Sequence, residues 1–579
     1  MDNLYDIVAR RSLNHARSIN PILYLTVRCF FESFSSFDRE DDFFIDCIER
    51  KLFIRKNWAI KEYKLFKEKD ENEFIYRDTL SLSAFGIIAE SYLMLKIADS
   101  SLLRNKKYVY SYILPQRIQS SRNFEYYFTG YKNRNNKISQ IFNNNPNQIA
   151  IVLDLTKFYP SIDKEKSKEI FFNHLDKTNN SRIFKLSEKI TTSILEESKQ
   201  GVPIGVNINH LIAQTYLTEF DELLNEKFPN KYFRYVDDII IVCNPSEEQN
   251  VKKYVESVLP NKLEINETKT DILTADEWKL SNVNNDNTNE NLHDLLHLIT
   301  AYLSMHPKKI DSLSTDIRKA GYNIPLKRVA NQSKNSKFIR FLVSLFKKKK
   351  KYGVAEIYFM KSEIIVGKLL ALKKFYTGQF QELIRLDYDD SNSAENRSNT
   401  ANLKYIINRL LYLSSIDELS KLEIPNTKKF NDTKEVIYAL SSKDLTQTIQ
   451  YGGKIVETVS ELWIENNFEP LILSNDDLKK IVNINSVIDS IIVMSLYRVI
   501  KFEMGDVLEL LDTENQEYIQ VVLDSSYKVK DLKNEFLLEI QGLLQDKSLE
   551  EKYKLLTTKY DDKEESLLSG LSLDMGYSL

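Results

Sequence analysis

Two adjacent aspartates, Asp237 and Asp238, lie between two apolar runs in residues 232–243 (YFRYVDDIIIVC). The runs are rich in β-branched and aromatic residues, so they predict a β-hairpin with the acids at its turn. Neighbouring carboxylates between apolar strands are unfavourable unless a cation neutralises them. The segment therefore predicts a metal site, and it requires a further ligand from a distant part of the chain.

A third carboxylate ends another apolar run, in residues 149–162 (IAIVLDLTKFYPSI). The run predicts a short strand that ends at Asp154, where a carboxylate can reach a metal held by a neighbouring strand. Phe158 and Tyr159 follow this acid. An Asp here can also cap a helix N-terminus, but that role does not explain the two aromatic residues.

Two more segments complete an ordered set. Residues 200–205 (QGVPIG) form a glycine-rich turn, which opens onto an amphipathic helix predicted from Asn207 to about Phe228. Residues 263–270 (LEINETKT) predict a strand that ends in a polar turn and presents Lys269. Each segment alone is a weak signal, because it can occur by chance. A chance occurrence of all four segments in this order is far less frequent than that of any one of them.

This order resembles the palm domain of reverse transcriptases over residues of about 110–275. The resemblance implies an α+β fold with a right-hand palm, and fingers built from the segment before Asp154. It also implies nucleotidyl transfer with two Mg²⁺ ions, Mn²⁺ being the alternative ion. Asp154 and Asp237 would bridge the metals, Asp238 would support them, the main chain of Leu155 would add a ligand, and Lys269 would protonate pyrophosphate.

The same resemblance assigns a nucleotide-binding set. Tyr159 matches the family's sugar gate, in which a bulky ring excludes a 2′-hydroxyl and so favours deoxynucleoside triphosphates. Asn209 departs from the family, because many relatives carry Ser at that place. The remaining nucleotide-binding candidates are Phe158, Gln200, Gly201, Arg122, Lys132 and Arg134, the last three as a triphosphate grip by position among the aromatic residues of 108–140.

The length of 579 residues predicts several domains. Apolar spacing predicts a mostly helical segment before about residue 110 and repeated amphipathic helices after 292. Between them, the asparagine-rich residues 281–291 predict a linker. The expected organisation is a helical N-terminal and fingers region at 1–107, a fingers and palm region at 108–280, the linker, an all-α helical-repeat (HEAT-like) domain at 292–560, and a tail at 561–579.

Charge, cysteine content and apolar runs indicate which partners and which cellular compartment to expect. A formal net charge of -3 provides no general basic surface for a long duplex. Three cysteines without metal spacing predict a reducing, cytoplasmic compartment. Residues 1–5 do not begin a signal peptide, and no run of eighteen apolar residues predicts a membrane span, so no membrane partner is expected.

A reverse transcriptase palm followed by a long helical region also resembles the bacterial abortive-infection (Abi) and related phage-defence reverse transcriptases. That resemblance implies a homo-oligomer, synthesis primed by a tyrosine hydroxyl, a DNA product covalently attached to that tyrosine, and often no template. The 32 tyrosines do not identify the primer. Two alternatives remain: a templated enzyme with a bound non-coding RNA, as in retrons, and an inactive palm that serves as a scaffold or sensor.

Overall fold

The computed structural model describes residues 3–33, 41–54, 59–70, 73–100, 103–117, 119–176, 181–281, 286–329, 353–390 and 393–560. One of the amphipathic helices expected after residue 292 covers 338–346 and is followed by five lysines at 347–351; both segments, and the tail at 561–579, lie outside the described residues. No helix among the residues described is long and apolar enough to cross a membrane.

The N-terminal region combines helices with a long β-hairpin. The helices were predicted, whereas the hairpin was not. Its alternation is hidden by charged residues and by a bulge between Phe66 and Glu68. The elements are α1 (Leu4–Ile19), α2 (Pro21–Glu32), α3 (Asp41–Ile54), β1 (Ile60–Asp70), β2 (Glu73–Leu82) and α4 (Ala84–Ser100).

The central region is a four-stranded antiparallel sheet in the order β4-β5-β3-β6, flanked by helices. Its strands are β3 (Ile149–Leu153), β4 (Tyr232–Tyr235), β5 (Asp238–Cys243) and β6 (Asp271–Thr274). The helices are α5 (Tyr127–Asn144), α6 (Phe158–Ser161), α7 (Lys164–Asp176), α8 (Ser181–Glu197), α9 (Asn207–Tyr216), α10 (Thr218–Lys227), α11 (Glu248–Val258) and α12 (Ala275–Ser281).

Both faces of this sheet are covered, which explains the continuous apolar runs of β3 and β5. Ile151 and Ile239 belong to the main core on one face. Val152 and Ile240 pack on the other face with residues of α5 and with Trp278 of α12. The strands are therefore held rigidly up to the point where each meets the acids.

Two predicted elements differ from the structure. The helix expected over 207–228 is two helices, α9 and α10, with a break at Leu217. The segment 263–270 was expected to be a strand that ends in a polar turn. The strand is reduced to a bridge between Leu155 and Ile265, the turn is a 3₁₀ turn at Glu267–Lys269, and the strand β6 comes after it. The polar side chains of 266–270 suit a turn better than a ladder.

The C-terminal region is mainly helical, but the expectation that it is all-α was wrong. A two-stranded parallel sheet joins β7 (Leu471–Ile472) to β8 (Ile500–Lys501). The expected linker is partly helical, because α13 begins at Asp286. The α-helices among the described residues of this region are α13 (Asp286–Met305), α14 (Ile310–Lys319), α15 (Leu326–Val329), α16 (Val354–Tyr358), α17 (Ser362–Leu383), α18 (Ala394–Leu413), α19 (Ile416–Leu419), α20 (Asn431–Ser442), α21 (Gly453–Glu465), α22 (Asn475–Lys479), α23 (Ile488–Leu496), α24 (Met504–Leu508), α25 (Thr513–Leu523), α26 (Glu535–Leu544) and α27 (Leu549–Thr557).

The C-terminal helices pack directly on the N-terminal hairpin. The hydroxyl of Tyr76 donates to the carbonyl of Gln450 at 2.7 Å, and the ring of Phe66 lies 4.9 Å from that of Tyr451. At the other end of the hairpin, the ammonium group of Lys61 lies 3.1 Å from the ring centroid of Tyr518. The hairpin is thus held between the C-terminal helices and the central region.

Candidate active site

Three carboxylates converge at one edge of the central sheet. Asp154 follows β3, Asp237 lies in the turn between β4 and β5, and Asp238 is the first residue of β5. Because Leu153 pairs with Ile239, the end of β3 lies beside the start of β5. One oxygen from each of the three acids lies within 4.8 Å of the others. These residues are called the acid triad below.

At the acid triad, burial and the mutual repulsion of the carboxylates outweigh the attraction of the nearby cations. Burial, together with the charges of Asp238 and Asp154, raises the pKa of Asp237 to about 7. Burial also raises the pKa of Asp238, against the opposing effect of Arg134, whose guanidinium lies 3.9 Å away. An all-oxygen donor set with this electrostatic imbalance fits a hard divalent cation such as Mg²⁺ or Mn²⁺.

Lys269 lies directly at the acid triad. Its Nζ is 3.2 Å from Oδ2 of Asp154, and the amide of Asn266 also donates to this oxygen, at 3.3 Å. The 3₁₀ turn that presents Lys269 is fixed by a main-chain hydrogen bond from Asn266 to the carbonyl of Asp154. The side chain of Leu155 is buried, so only its main chain is available to a metal.

The Asp-Asp turn is held by residues that sequence reasoning missed. Arg234 donates two hydrogen bonds to Asp221 of α10, both at 2.7 Å, and a third to the carbonyl of Val236 at 2.9 Å. Val236 has a φ of 56° and its N–H donates to the hydroxyl of Ser111. These bonds stabilise a left-handed conformation that a β-branched residue rarely adopts. A charged residue inside the apolar strand β4 was the only sequence signal for this arrangement.

The glycine turn packs against the main chain of the predicted sugar gate. Gly201 has a φ of 57°, and a Cβ there would lie 2.3 Å from the carbonyl oxygen of Tyr159. The N–H of Val202 donates to the same oxygen at 3.0 Å. Only glycine fits this close approach, so Gly201 positions the gate through its backbone. Gln200 is exposed beside it, and Phe158 is buried with its ring 5.2 Å from that of Tyr159.

Asn209, the departure from the family pattern, has a structural contact. Its amide donates to the carbonyl of Pro203 at 2.8 Å, and its side chain is buried. It therefore stabilises the glycine turn from the first turns of α9. A shorter Ser side chain would not span this distance in the same way.

The three basic candidates lie in different surroundings. Arg134 is buried near Asp238, with the rings of Tyr131 and Tyr235 at 4.6 and 5.5 Å. The guanidinium of Arg122 lies over the ring of Tyr126 at 4.6 Å. Lys132 is half-buried on α5. Of the three, the contacts of Arg134 bring it to the acid triad.

Two further cations near the triad were not singled out from the sequence. Arg77 of β2 and Asp237 attract each other electrostatically. Arg397 of α18 likewise acts on Asp238, and its guanidinium lies 3.3 Å from Asp271 of β6. No spacing rule connects residues 77 and 397 with the acids, because the tertiary fold alone brings them there.

Comparison with known protein families identifies the central region. Residues 101–339 match the reverse transcriptase (RNA-dependent DNA polymerase) family. None of the curated proteins matches the chain. The chain thus contains a reverse transcriptase domain, and all four sequence segments described above lie within it. This domain makes the protein a nucleotidyltransferase of the RNA-directed DNA polymerase class, and it does not by itself identify a template.

Proposed function

We propose that this protein adds deoxynucleotides to a hydroxyl group by two-metal nucleotidyl transfer, and that it acts in bacterial defence against phage. The acid triad carries the first part of the proposal. Three carboxylates that meet at a sheet edge, inside a reverse transcriptase domain, are the donor set that this reaction requires.

Each residue at the site has a role in this proposal. Asp154 and Asp237 would hold two Mg²⁺ ions, with Asp238 as the supporting acid and the Leu155 main chain as a further ligand. Bound Mg²⁺ supplies electrostatic stabilisation of the attacking and leaving oxygens. Lys269 provides a proton and positive charge to the departing pyrophosphate. Arg77 and Arg134 offer positive charge to the triphosphate.

Incorporation of labelled deoxynucleotides by the full-length protein with Mg²⁺ tests this assignment. Asp154→Asn and Asp237→Asn should each lower incorporation by about a thousandfold or more while the protein stays folded. Asp276→Asn is the matched control, because this exposed acid of α12 lies outside the triad. Activity retained in either triad variant would refute the assignment.

The defence role rests on the resemblance to abortive-infection reverse transcriptases together with two properties of the chain. The net charge of -3 suits an enzyme that does not hold a long template-primer duplex. The C-terminal helices pack on the N-terminal hairpin, and Arg397 contacts Asp271 of β6 and acts electrostatically on Asp238, so these helices lie near the site. We propose that they form a HEAT-like repeat domain, that the protein is a cytoplasmic homo-oligomer, and that a tyrosine hydroxyl primes synthesis without a template.

Sequencing the nucleic acid that copurifies with the protein separates the modes of priming. DNA of random or low-complexity sequence, attached to protein through a tyrosine, supports untemplated self-priming. A defined RNA with complementary DNA would instead support the templated, retron-like alternative. Inactivity of the wild-type protein with every deoxynucleotide and Mg²⁺ would support the scaffold alternative.

A further inference from the structure

The predicted sugar gate is held by a cluster of three rings. The hydroxyl oxygen of Tyr159 lies 2.6 Å from Nδ1 of His210 and 3.2 Å from the hydroxyl of Tyr112. The rings of His210 and Tyr112 are stacked, with centroids 4.0 Å apart and an angle of 9° between the planes. Tyr159 meets His210 edge to face at 5.6 Å. Neither His210 nor Tyr112 belongs to the predicted set of site residues.

The protonation state of this cluster follows from its burial. Burial, with a smaller effect of His15, lowers the pKa of His210 to about 3. The imidazole is therefore neutral at physiological pH. In the tautomer with an unprotonated Nδ1, this nitrogen accepts the proton of the Tyr159 hydroxyl; in the other tautomer Nδ1 donates to the Tyr159 oxygen, and the Tyr159 hydroxyl donates to that of Tyr112. The donor proton of the gate is thus fully engaged within the protein.

The backbone indicates that Tyr112 is held in place by these contacts. Its φ is 47°, in the left-handed region that an aromatic residue seldom occupies. Such a conformation persists where surrounding contacts determine it. Phe124 packs against both rings, at 5.2 Å from Tyr112 and 6.0 Å from His210. Together with the Gly201 contact to the main chain of Tyr159, these interactions fix the gate from two sides.

We propose that His210 and Tyr112 are specificity-determining positioning residues, which hold the Tyr159 ring and engage its hydroxyl so that a ribose 2′-hydroxyl meets a rigid wall that donates no hydrogen bond. This inference rests on the proposed role of Tyr159 as the sugar gate. A gate with a free hydroxyl could donate a hydrogen bond to the ribose oxygen and would admit ribonucleotides more readily. Burying that oxygen without a partner disfavours ribonucleotide binding.

The test compares incorporation of each deoxynucleotide with its ribonucleotide, using the full-length protein and Mg²⁺. His210→Phe keeps a flat ring but removes the nitrogen that is hydrogen-bonded to the Tyr159 hydroxyl, so the preference for deoxynucleotides should fall by about three- to tenfold. His210→Asn places an amide oxygen near the position of Nδ1 and should restore most of the preference. Tyr112→Phe should have a smaller effect, and Tyr108→Phe, outside the cluster, is its matched control.

The outcomes distinguish this inference from the proposed gate. If Tyr159→Ala lowers the preference while His210→Phe leaves it unchanged, the gate stands and the inference is overturned. If neither variant changes the preference, the gate itself fails. An equal loss of incorporation for both sugars in a folded His210→Phe protein would also overturn the inference, because His210 would then act on something other than the sugar. A thermal unfolding curve for each variant shows that it is folded.

Discussion

The reverse transcriptase domain has half-buried acidic side chains at its triad, and the C-terminal helices have buried ones, but the groups around these acids differ. In the C-terminal helices, Glu457 accepts hydrogen bonds from Arg17 at 3.3 Å, Arg328 at 2.7 Å and Tyr497 at 2.8 Å. In the acid triad, each carboxylate has other carboxylates as close neighbours, and the pKa of Asp237 rises to about 7. Glu457 is thus surrounded by groups that pair with it, whereas at the acid triad burial and repulsion between carboxylates outweigh the nearby cations and raise the pKa of Asp237 and of Asp238.

The contrast separates charges that stabilise the fold from charges that require a ligand. Asp221 shows that a paired acid also occurs within the reverse transcriptase domain. Its partner is Arg234, which lies three residues before Asp237 in the chain. Burying a carboxylate without compensation is costly, so such an arrangement persists where another group supplies the missing charge. The predictions below test this distinction, from the largest expected effect to the smallest.

The largest effect is expected for Asp221→Asn. This change leaves the buried guanidinium of Arg234 without its charged partner and should lower the free energy of unfolding by about 3 to 5 kcal/mol. Arg234 also holds the carbonyl of Val236, so incorporation should fall even in the folded fraction. Urea unfolding and the incorporation assay measure the two effects, with exposed Asp276→Asn as the control. An unchanged free energy of unfolding would show that the Asp221–Arg234 pair does not stabilise the fold.

Glu457→Gln tests the compensated charge far from the triad. The neutral amide still accepts hydrogen bonds but no longer balances Arg17 and Arg328, so the free energy of unfolding should fall by about 2 to 3 kcal/mol. Incorporation per folded molecule should stay near that of the wild type, in contrast with the Asp221 variant. The same unfolding and incorporation measurements apply. A loss of activity without a loss of stability would contradict the distinction.

Much of the central region could be predicted from the sequence because its signals are local. The continuous apolar runs of β3 and β5 indicate strands covered on both faces, and the acids follow directly from their positions at the strand ends. The glycine turn is also a local signal, because two glycines beside a proline indicate a turn. The left-handed φ of Gly201 agrees with this, whereas its contact with Tyr159 is a tertiary one. The structure brings Asp154, Asp237 and Asp238 together in the order that these patterns indicate.

The remaining features depend on contacts between distant segments. The N-terminal hairpin escaped prediction because the bulge after Phe66 and its many charged residues conceal the period of two. His210 is a single histidine on an amphipathic helix, with no spacing rule to mark it. Tertiary packing alone brings Arg77 and Arg397 close enough to act electrostatically on Asp237 and Asp238. Periodicity reports which face of an element is buried, and it does not report which polar side chains meet there.

Acidification should reveal the neutral buried imidazole of His210. Its pKa is about 3 in the folded protein and about 6.5 in the unfolded chain, so below pH 6.5 the unfolded state binds a proton that the folded state does not. Stability is therefore lost as the pH falls, by about 2 kcal/mol between pH 7.5 and 5 from this group. His210→Asn should show a correspondingly smaller loss in urea unfolding at the two pH values. An equal loss in both proteins would contradict a neutral, buried His210.

The smallest effect concerns the excess charge itself. If the acid triad binds Mg²⁺, the ion should raise the free energy of unfolding by about 1.4 kcal/mol at ten times its dissociation constant. Asp237→Asn removes one repelling carboxylate, so without Mg²⁺ this variant should be at least as stable as the wild type, but it should lose most of the stabilisation by Mg²⁺. Thermal unfolding with and without Mg²⁺, and after addition of a chelator, measures both effects. Asp276→Asn should respond to Mg²⁺ as the wild type does, because Asp276 is an exposed acid outside the triad. If Asp237→Asn were destabilising without Mg²⁺, as Asp221→Asn is expected to be, the triad would belong with the charges that support the fold.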